Sequence, residues 1–451
     1  MIRPLPSPSR LLPALALGLL ALGGPALRAE APALRLTLAE ALKRALDQNP
    51  RVHQALLAIA ESADDRRSAA AALMPKVGAE AFSQRNKYNL EAQMGMSVPT
   101  FPKEVGPYTW NRTGVGAEVT LFDLGLWKKW RAAQHGEKAA QAQGRAVQEE
   151  VAAIVVGQYL RALRAAASVQ ASSSRVALAE ALAGLAEHQQ KVGVGTRLDT
   201  LRAQVQLQAE RQRLIQAQTQ ETTALAGLGR ALDLPPGSRL QLADTLEAPA
   251  LPVAGFQEAL QEGLQHRPEL AALEAREQAA LNLRDAARSL HLPTLTASGF
   301  YGQTALESKS SATTYQVSLG VRVPLFTGGL ISAQVARATS EQQRVQEARR
   351  EVKAQVGYEV QVARAELDAA AHEVEVATLA VSLATEALTQ AQHRFEAGVS
   401  NNIEVINAQD DLAKANDNQI SARYRLNQGR ADLARATGQL ATAFTLASSP
   451  R

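Results

Sequence analysis

Two stretches, Leu124–Val192 and Gly329–Ala397, run for about 69 residues each without a proline. At the rise of an α-helix, such a stretch extends about 100 Å, well beyond the width of an ordinary domain. The chain is rich in Ala, Gln, Glu, Arg and Leu, all strong helix formers. Apolar residues recur at helical spacing, as at Leu178, Leu182 and Leu185 and later at Leu225, Leu228 and Leu232. A lone helix cannot bury such a stripe, so these segments must pack side by side in a bundle or a helical tube.

The long stretches belong to two copies of one unit. Leu38-Ala-Glu40-Ala41-Leu42, continuing to Asn49-Pro50, returns 218 residues later as Phe256-Gln-Glu258-Ala259-Leu260, continuing to Arg267-Pro268. Met74-Pro75 returns as Leu292-Pro293 at the same offset. Leu121-Phe122-Asp-Leu-Gly125-Leu126 returns as Leu325-Phe326-Thr-Gly-Gly329-Leu330, and Gly193 with Asp199 returns as Gly398 with Glu404. Landmarks that keep their order and spacing define a duplicated structural unit. The expected division is a first repeat over 30–232, an extended connector over 233–255 with Pro235-Pro236-Gly237, a second repeat over 256–440 and a C-terminal tail over 441–451.

Each copy reads as helix, hairpin, very long helix, tight turn, helix. Thr37 and Glu40 fit a capping box, and Asn49 fits an N-cap with Pro50 at the first helical position. The period then changes from helical to two, giving β-hairpins at about 76–121 and 294–323. Val77, Ala79 and Ala81, then Val115, Ala117, Val119 and Leu121, alternate with polar residues or glycine. Leu295, Ala297 and Gly299 do the same, and so do Tyr315, Val317, Leu319, Val321 and Val323. One apolar and one polar face on strands of about ten residues is the pattern of an outer-membrane barrel. Hairpins packed on the helices of a soluble protein are the competing reading. Twelve of the chain's 18 aromatics fall in 76–130 and 294–326, as an interfacial girdle requires. Four strands cannot close a barrel, whose observed minimum is about eight. Two chains would supply eight strands and three would supply twelve, and the spacing does not choose between them.

The N-terminus begins with Arg3 and Arg10, continues through the apolar run Leu11–Leu22, and reaches Gly23, Gly24, Ala26 and Ala29. It reads as a secretory signal peptide over 1–29, cleaved after Ala29 or alternatively after Ala26. Its apolar run is shorter than the roughly 20 residues of a spanning helix, and no comparable run follows. Removing Arg3, Arg10 and Arg28 lowers the formal charge from +4 to +1, so the basic balance does not point to nucleic acid. With no cysteine, stability must come from packing and assembly.

Asn49-Pro50, Leu325-Phe326-Thr-Gly-Gly329 and Arg394-Phe395-Glu-Ala-Gly398, followed by Glu404-Val-Ile-Asn-Ala-Gln409, carry a resemblance to the TolC-like outer-membrane efflux protein family. It extends over essentially the whole mature chain. The resemblance implies a mainly α fold with β: a homotrimer in which four strands per chain join a shared twelve-stranded β-barrel. The long helices would then form an α-helical barrel crossing much of the periplasm. Implied partners are a periplasmic adaptor (membrane fusion) protein, an inner-membrane transporter and outer-membrane lipid. By the same resemblance Val192, Gly193, Val194, Ala397, Gly398 and Val399 form adaptor-contacting tips, and Asp199, Glu404 and Asn407 line the periplasmic aperture. The family often has an acid where this chain has Asn407 and a basic residue where it has Ser400. Asp199 and Glu404 also lie in the first turn of a helix, where an acid complements the dipole.

No catalytic constellation emerges. His53, His135, His188, His266, His291, His372 and His393 are not at metal-ligand spacing. Gly193-x-Gly195 lacks the third glycine of a dinucleotide loop, and neither a Gly-x-Ser-x-Gly nor a His-Glu-x-x-His segment occurs. The expectation is therefore no enzyme and no cofactor or metal. Two functions remain: a passive outer-membrane exit duct for an efflux or type I secretion system, or a soluble periplasmic coiled-coil adaptor or scaffold.

Overall fold

The computed structural model describes residues 34–96, 100, 102–246, 255–307 and 310–446. The signal peptide expected at 1–29, residues 247–254 of the connector and residues 447–451 of the tail lie outside these. In the first copy the elements are β1 (Leu34–Leu36), α1 (Leu38–Gln48), α2 (Pro50–Ala71), β2 (Lys76–Asn89), α3 (Leu90–Met94), β3 (Glu104–Phe122), α4 (Leu124–Lys191) and α5 (Arg197–Ala231). Strand β4 (Leu240–Leu242) follows. The second copy holds α6 (Phe256–His266), α7 (Pro268–Ser289), β5 (Thr294–Leu306), β6 (Ser310–Arg322), α8 (Leu330–Glu396) and α9 (Asn402–Ala436), and α10 (Leu440–Leu446) comes last.

Lengths repeat between the copies. Helices α1 and α6 have 11 residues, α2 and α7 have 22, α5 and α9 have 35, and α4 and α8 have 68 and 67. Local chemistry explains the boundaries. At the start of α1 the Thr37 hydroxyl accepts the Glu40 N–H at 3.3 Å while the Glu40 carboxylate accepts the Thr37 N–H at 2.9 Å. Asn49 accepts the Arg51 N–H at 2.9 Å, with Pro50 in the position whose missing N–H is harmless. Helix α4 stops because Gly193 adopts a left-handed φ of 81°, and α8 stops at Gly398 with φ 72°. In each case the next residue's N–H reaches back to close the helix: Val194 to the Gln189 carbonyl and Val399 to the Arg394 carbonyl, both at 3.0 Å.

Helix α4 is the centre of the wall, packing on α2, α5, α7 and α9, while α8 packs on α7 and α9. Three apolar clusters hold these helices together, and alanine is prominent in them, allowing close approach. The largest girdles α4 at mid-length, with Leu36, Leu42, Val155, Tyr159, Leu228, Leu232 and Leu440. A second joins Leu182, Ala186, Ala203, Leu388, Phe395 and Val405 near the tips, and a third joins Ala259, Leu270, Val356 and Val360.

Part of the segment expected to be an extended connector is a strand. β4 pairs in parallel with β1, Leu34 facing Leu240 and Leu36 facing Leu242. The Tyr159 hydroxyl lies 2.9 Å from both the Leu36 carbonyl and the Asp244 carboxylate, which also accepts the Leu38 N–H at 2.7 Å. Burial, with the Asp244 hydrogen bond, pushes the Tyr159 hydroxyl's pKa up, keeping it a neutral donor. The region expected as a tail opens with α10, whose Leu440 and Ala441 N–H groups donate to Glu149 at 3.1 and 3.3 Å. Among the described residues no helix is long and apolar enough to cross a membrane.

Candidate functional site

The two hairpins form one antiparallel sheet in the order β2-β3-β5-β6. Its register aligns the apolar positions across all four strands. Ala79 faces Val115, Val115 faces Tyr301 and Tyr301 faces Tyr315; one row along, Val77, Ala117, Gly299 and Val317 line up in the same way. Side chains of this face stand open: Val317 is 82% exposed, Tyr315 78% and Val77 70%. An unpartnered apolar face of this breadth on strands of 13–19 residues is a lipid-facing surface.

The opposite face is polar and locally built. Glycines 114 and 302 sit directly opposite one another, and a Cβ on Gly114 would come within 2.5 Å of the Tyr301 carbonyl and 2.7 Å of the Phe300 ring. Phe300 therefore covers the gap, and Arg112 stacks on it at 3.6 Å while pairing with Glu80 at 3.1 Å. Where the strands meet the helices, Leu325 and Phe326 are 94% and 90% exposed, and Arg131 stacks 3.9 Å over Trp127. At the loop end Phe82 meets Trp110 edge-on with centroids 5.0 Å apart. Leu325, Phe326 and Trp127 thus mark the helix-side margin of the sheet, as interfacial side chains do, whereas Phe82 and Trp110 share the polar face with Arg112 and Phe300.

At the far end of the long helices lie the two turns. Val192, Gly193 and Val194 are exposed at the first, and Ala397, Gly398 and Val399 at the second. Asp199 and Glu404 lie in the first turns of the returning helices. The carboxylate of Asp199 accepts the Thr196 hydroxyl at 2.5 Å, and Thr196 caps α5 through the Asp199 N–H at 3.2 Å. Glu404 pairs with Arg394 at 3.2 Å across the second turn, and Asn407 is exposed one turn further along α9. Arg394 stands in the motif Arg394-Phe395-Glu-Ala-Gly398, and no sequence spacing announces its pairing with Glu404, because the pair forms only once the turn closes. Further tertiary contacts join the hairpins, among them the Asn402 amide to the Asp199 carbonyl at 2.7 Å and Gln206 to Asp410 at 3.2 Å. Among the described residues no three His, Cys, Asp or Glu side chains could together hold a metal ion.

The architecture has counterparts among known proteins. The chain is 30% identical over 329 residues to Protein CyaE of Bordetella pertussis, covering 71% of this chain and 69% of that protein. It is 27% identical over 337 residues to the pyoverdine export outer membrane protein OpmQ of Pseudomonas putida, covering 72% and 70%. The solved outer membrane protein VceC of Vibrio cholerae superposes with a TM-score of 0.75 at 20% identity, over 89% of this chain and 96% of that one. The profile described as outer membrane efflux protein matches residues 41–233 and 259–439. These matches give no support to the soluble adaptor reading. The chain belongs to the outer membrane efflux protein family: it is an export channel of the outer membrane, non-enzymatic, with its sheet in the bilayer and its helices facing the periplasm.

Proposed function

We propose that three copies of this chain share one twelve-stranded barrel and one helical tube, forming the passive exit duct of a tripartite efflux or type I secretion system. The observation that carries the reading is the pair of free sheet edges, β2 and β6. A bilayer supplies no hydrogen bonds to an open edge, so each edge must pair with a neighbouring chain. Apolar stripes on the outermost helices support the same closure: Leu198, Leu201 and Val205 on α5, and Val376, Leu379 and Leu383 on α8, are exposed. The same proposal includes the division into repeats at 30–232 and 256–440, joined by the connector 233–255.

In this reading Asp199, Glu404 and Asn407 surround the periplasmic aperture, and acids in a narrow mouth favour cations. The turns Val192-Gly193-Val194 and Ala397-Gly398-Val399 meet a periplasmic adaptor, while an inner-membrane transporter supplies the energy. The deciding experiment separates inner and outer membranes, extracts the protein in mild detergent and measures its mass by light scattering corrected for detergent. A trimer is expected. A monomer, or a dimer with eight strands, would overturn the shared barrel.

A further inference from the structure

Near the tips, one polar side chain is wholly buried. Asn402, the first residue of α9, has no exposed surface, and its Nδ2–H donates to the main-chain carbonyl of Asp199 in the first turn of α5. A carbonyl only accepts, so this contact fixes which end of the amide faces it. The Oδ1 of Asn402 is buried without a hydrogen-bond partner. An apolar side chain would leave no unpaired oxygen here, so what the amide adds is the bond between hairpins rather than packing. At 2.7 Å it is tighter than the neighbouring links, Gln189 to the Phe395 carbonyl at 3.5 Å and Gln206 to Asp410 at 3.2 Å.

The bond joins the first copy of the unit to the second at the level of both mouth acids. Asp199 supplies its acceptor, and Glu404 lies two residues beyond its donor. On the trimeric-channel reading, we propose that Asn402 is a positioning residue: a pin that fixes the spacing of the first turns of α5 and α9, and with it the resting width of the mouth. Opening requires this bond to break or to move with its partners.

The chain has no cysteine, so Val192→Cys and Val399→Cys place one spin label on each exposed turn of the full-length protein, diluted among unlabelled chains. Asn402→Leu keeps the approximate size and shape but can neither donate nor accept, and Asn402→Ala removes both the donor and the unpaired oxygen. Asn401→Ala is the control, because Asn401 only caps α9 through the Ile403 N–H at 3.1 Å. Pulsed dipolar spectroscopy should show a longer and broader label separation in both Asn402 variants and the original separation in Asn401→Ala. Loss of one buried bond should raise the open population of trimers in planar bilayers about five-fold. An unchanged separation in both variants overturns the pin whether or not the protein assembles, since the labels read a single chain. A changed separation with unchanged conductance overturns its control of the mouth. A wild-type protein that never forms trimers defeats the channel reading, while the label distance still decides the pin.

Discussion

The two copies have nearly the same skeleton but different fastenings. Phe82 and Phe300 stand at corresponding positions of β2 and β5, yet Phe82 is 39% exposed and Phe300 8%. The difference is topological: β5 lies inside the sheet, where Phe300 covers Gly114 and Gly302, whereas β2 is an edge. At the second helix of each copy, Asn49 accepts the first N–H of α2, while Arg267 makes no cap bond and instead pairs with Glu359 at 2.7 Å and Glu269 at 3.1 Å. Duplication therefore conserves lengths and helix stops, which set the geometry of the wall, and leaves each site free to adopt whatever chemistry its neighbours permit.

The largest expected difference between the copies is at the aromatic pair. Phe300→Ala should destabilise the chain by about 3 kcal/mol, because it opens a cavity over two glycines and strips Arg112 of its stacking surface. Phe82→Ala should cost about 1 kcal/mol in an unassembled chain. Closure of the barrel would turn β2 into an interior strand, so in assembled trimers the two costs should converge. Urea titrations of trimer and unassembled chain compare them. A Phe82→Ala cost that stays low after assembly would count against pairing of the β2 edge.

Next comes the pair Arg267 and Asn49. Removing the buried guanidinium with Arg267→Ala strands two carboxylates, which are themselves about one-third exposed, so the cost should be about 2 kcal/mol. Asn49→Ala loses one cap, about 1 kcal/mol. The pH dependence separates the two mechanisms. Burial alone would raise the Glu359 carboxyl, but the Gln355 hydrogen bond and the Arg267 charge together hold it below its ordinary pKa. A depressed acid contributes stability above its unfolded pKa and loses it as pH falls through the folded value. Wild type should therefore lose stability relative to Arg267→Ala on acidification below about pH 4.5, whereas Asn49→Ala should run parallel to wild type. Parallel curves for both variants would mean that the ion pair contributes nothing.

What could be foreseen from residues alone follows the same line between local and tertiary causes. The capping box at Thr37, the cap at Asn49 with Pro50, the turns at Gly193 and Gly398 and the alternating strands all depend on neighbours in the chain, and each is found where its pattern stands. The parallel pair β1 and β4 could not be seen in the same way. Three residues carry no periodicity, and their partners are some 200 positions apart. Docking of α10 depends on Glu149, and the covering of Gly114 depends on Phe300; neither leaves a spacing to read. At the helix tips the first-turn positions of Asp199 and Glu404 were legible, but Arg394 beside Glu404 and Asn402 beside Asp199 were not, because each contact exists only after the helices fold back.

That last contrast carries the smallest expected effect, and it concerns selectivity rather than stability. Glu404 faces Arg394, both about half-exposed, so their pairing is screened and neither replacement should measurably unfold the chain. Arg394→Ala leaves the Glu404 charge uncompensated and should raise the cation preference of the channel, read as the reversal potential across a salt gradient. Glu404→Ala should lower it. Asp199→Ala should lower it less, because Asp199 is half-buried and its carboxylate is engaged by the Thr196 hydroxyl, which reduces its reach into the mouth. The order Arg394→Ala above wild type, then Asp199→Ala, then Glu404→Ala is therefore the signature of a mouth whose two copies contribute unequally. An identical reversal potential in all four proteins would remove these acids from ion selection and leave their helix-starting positions as their whole purpose.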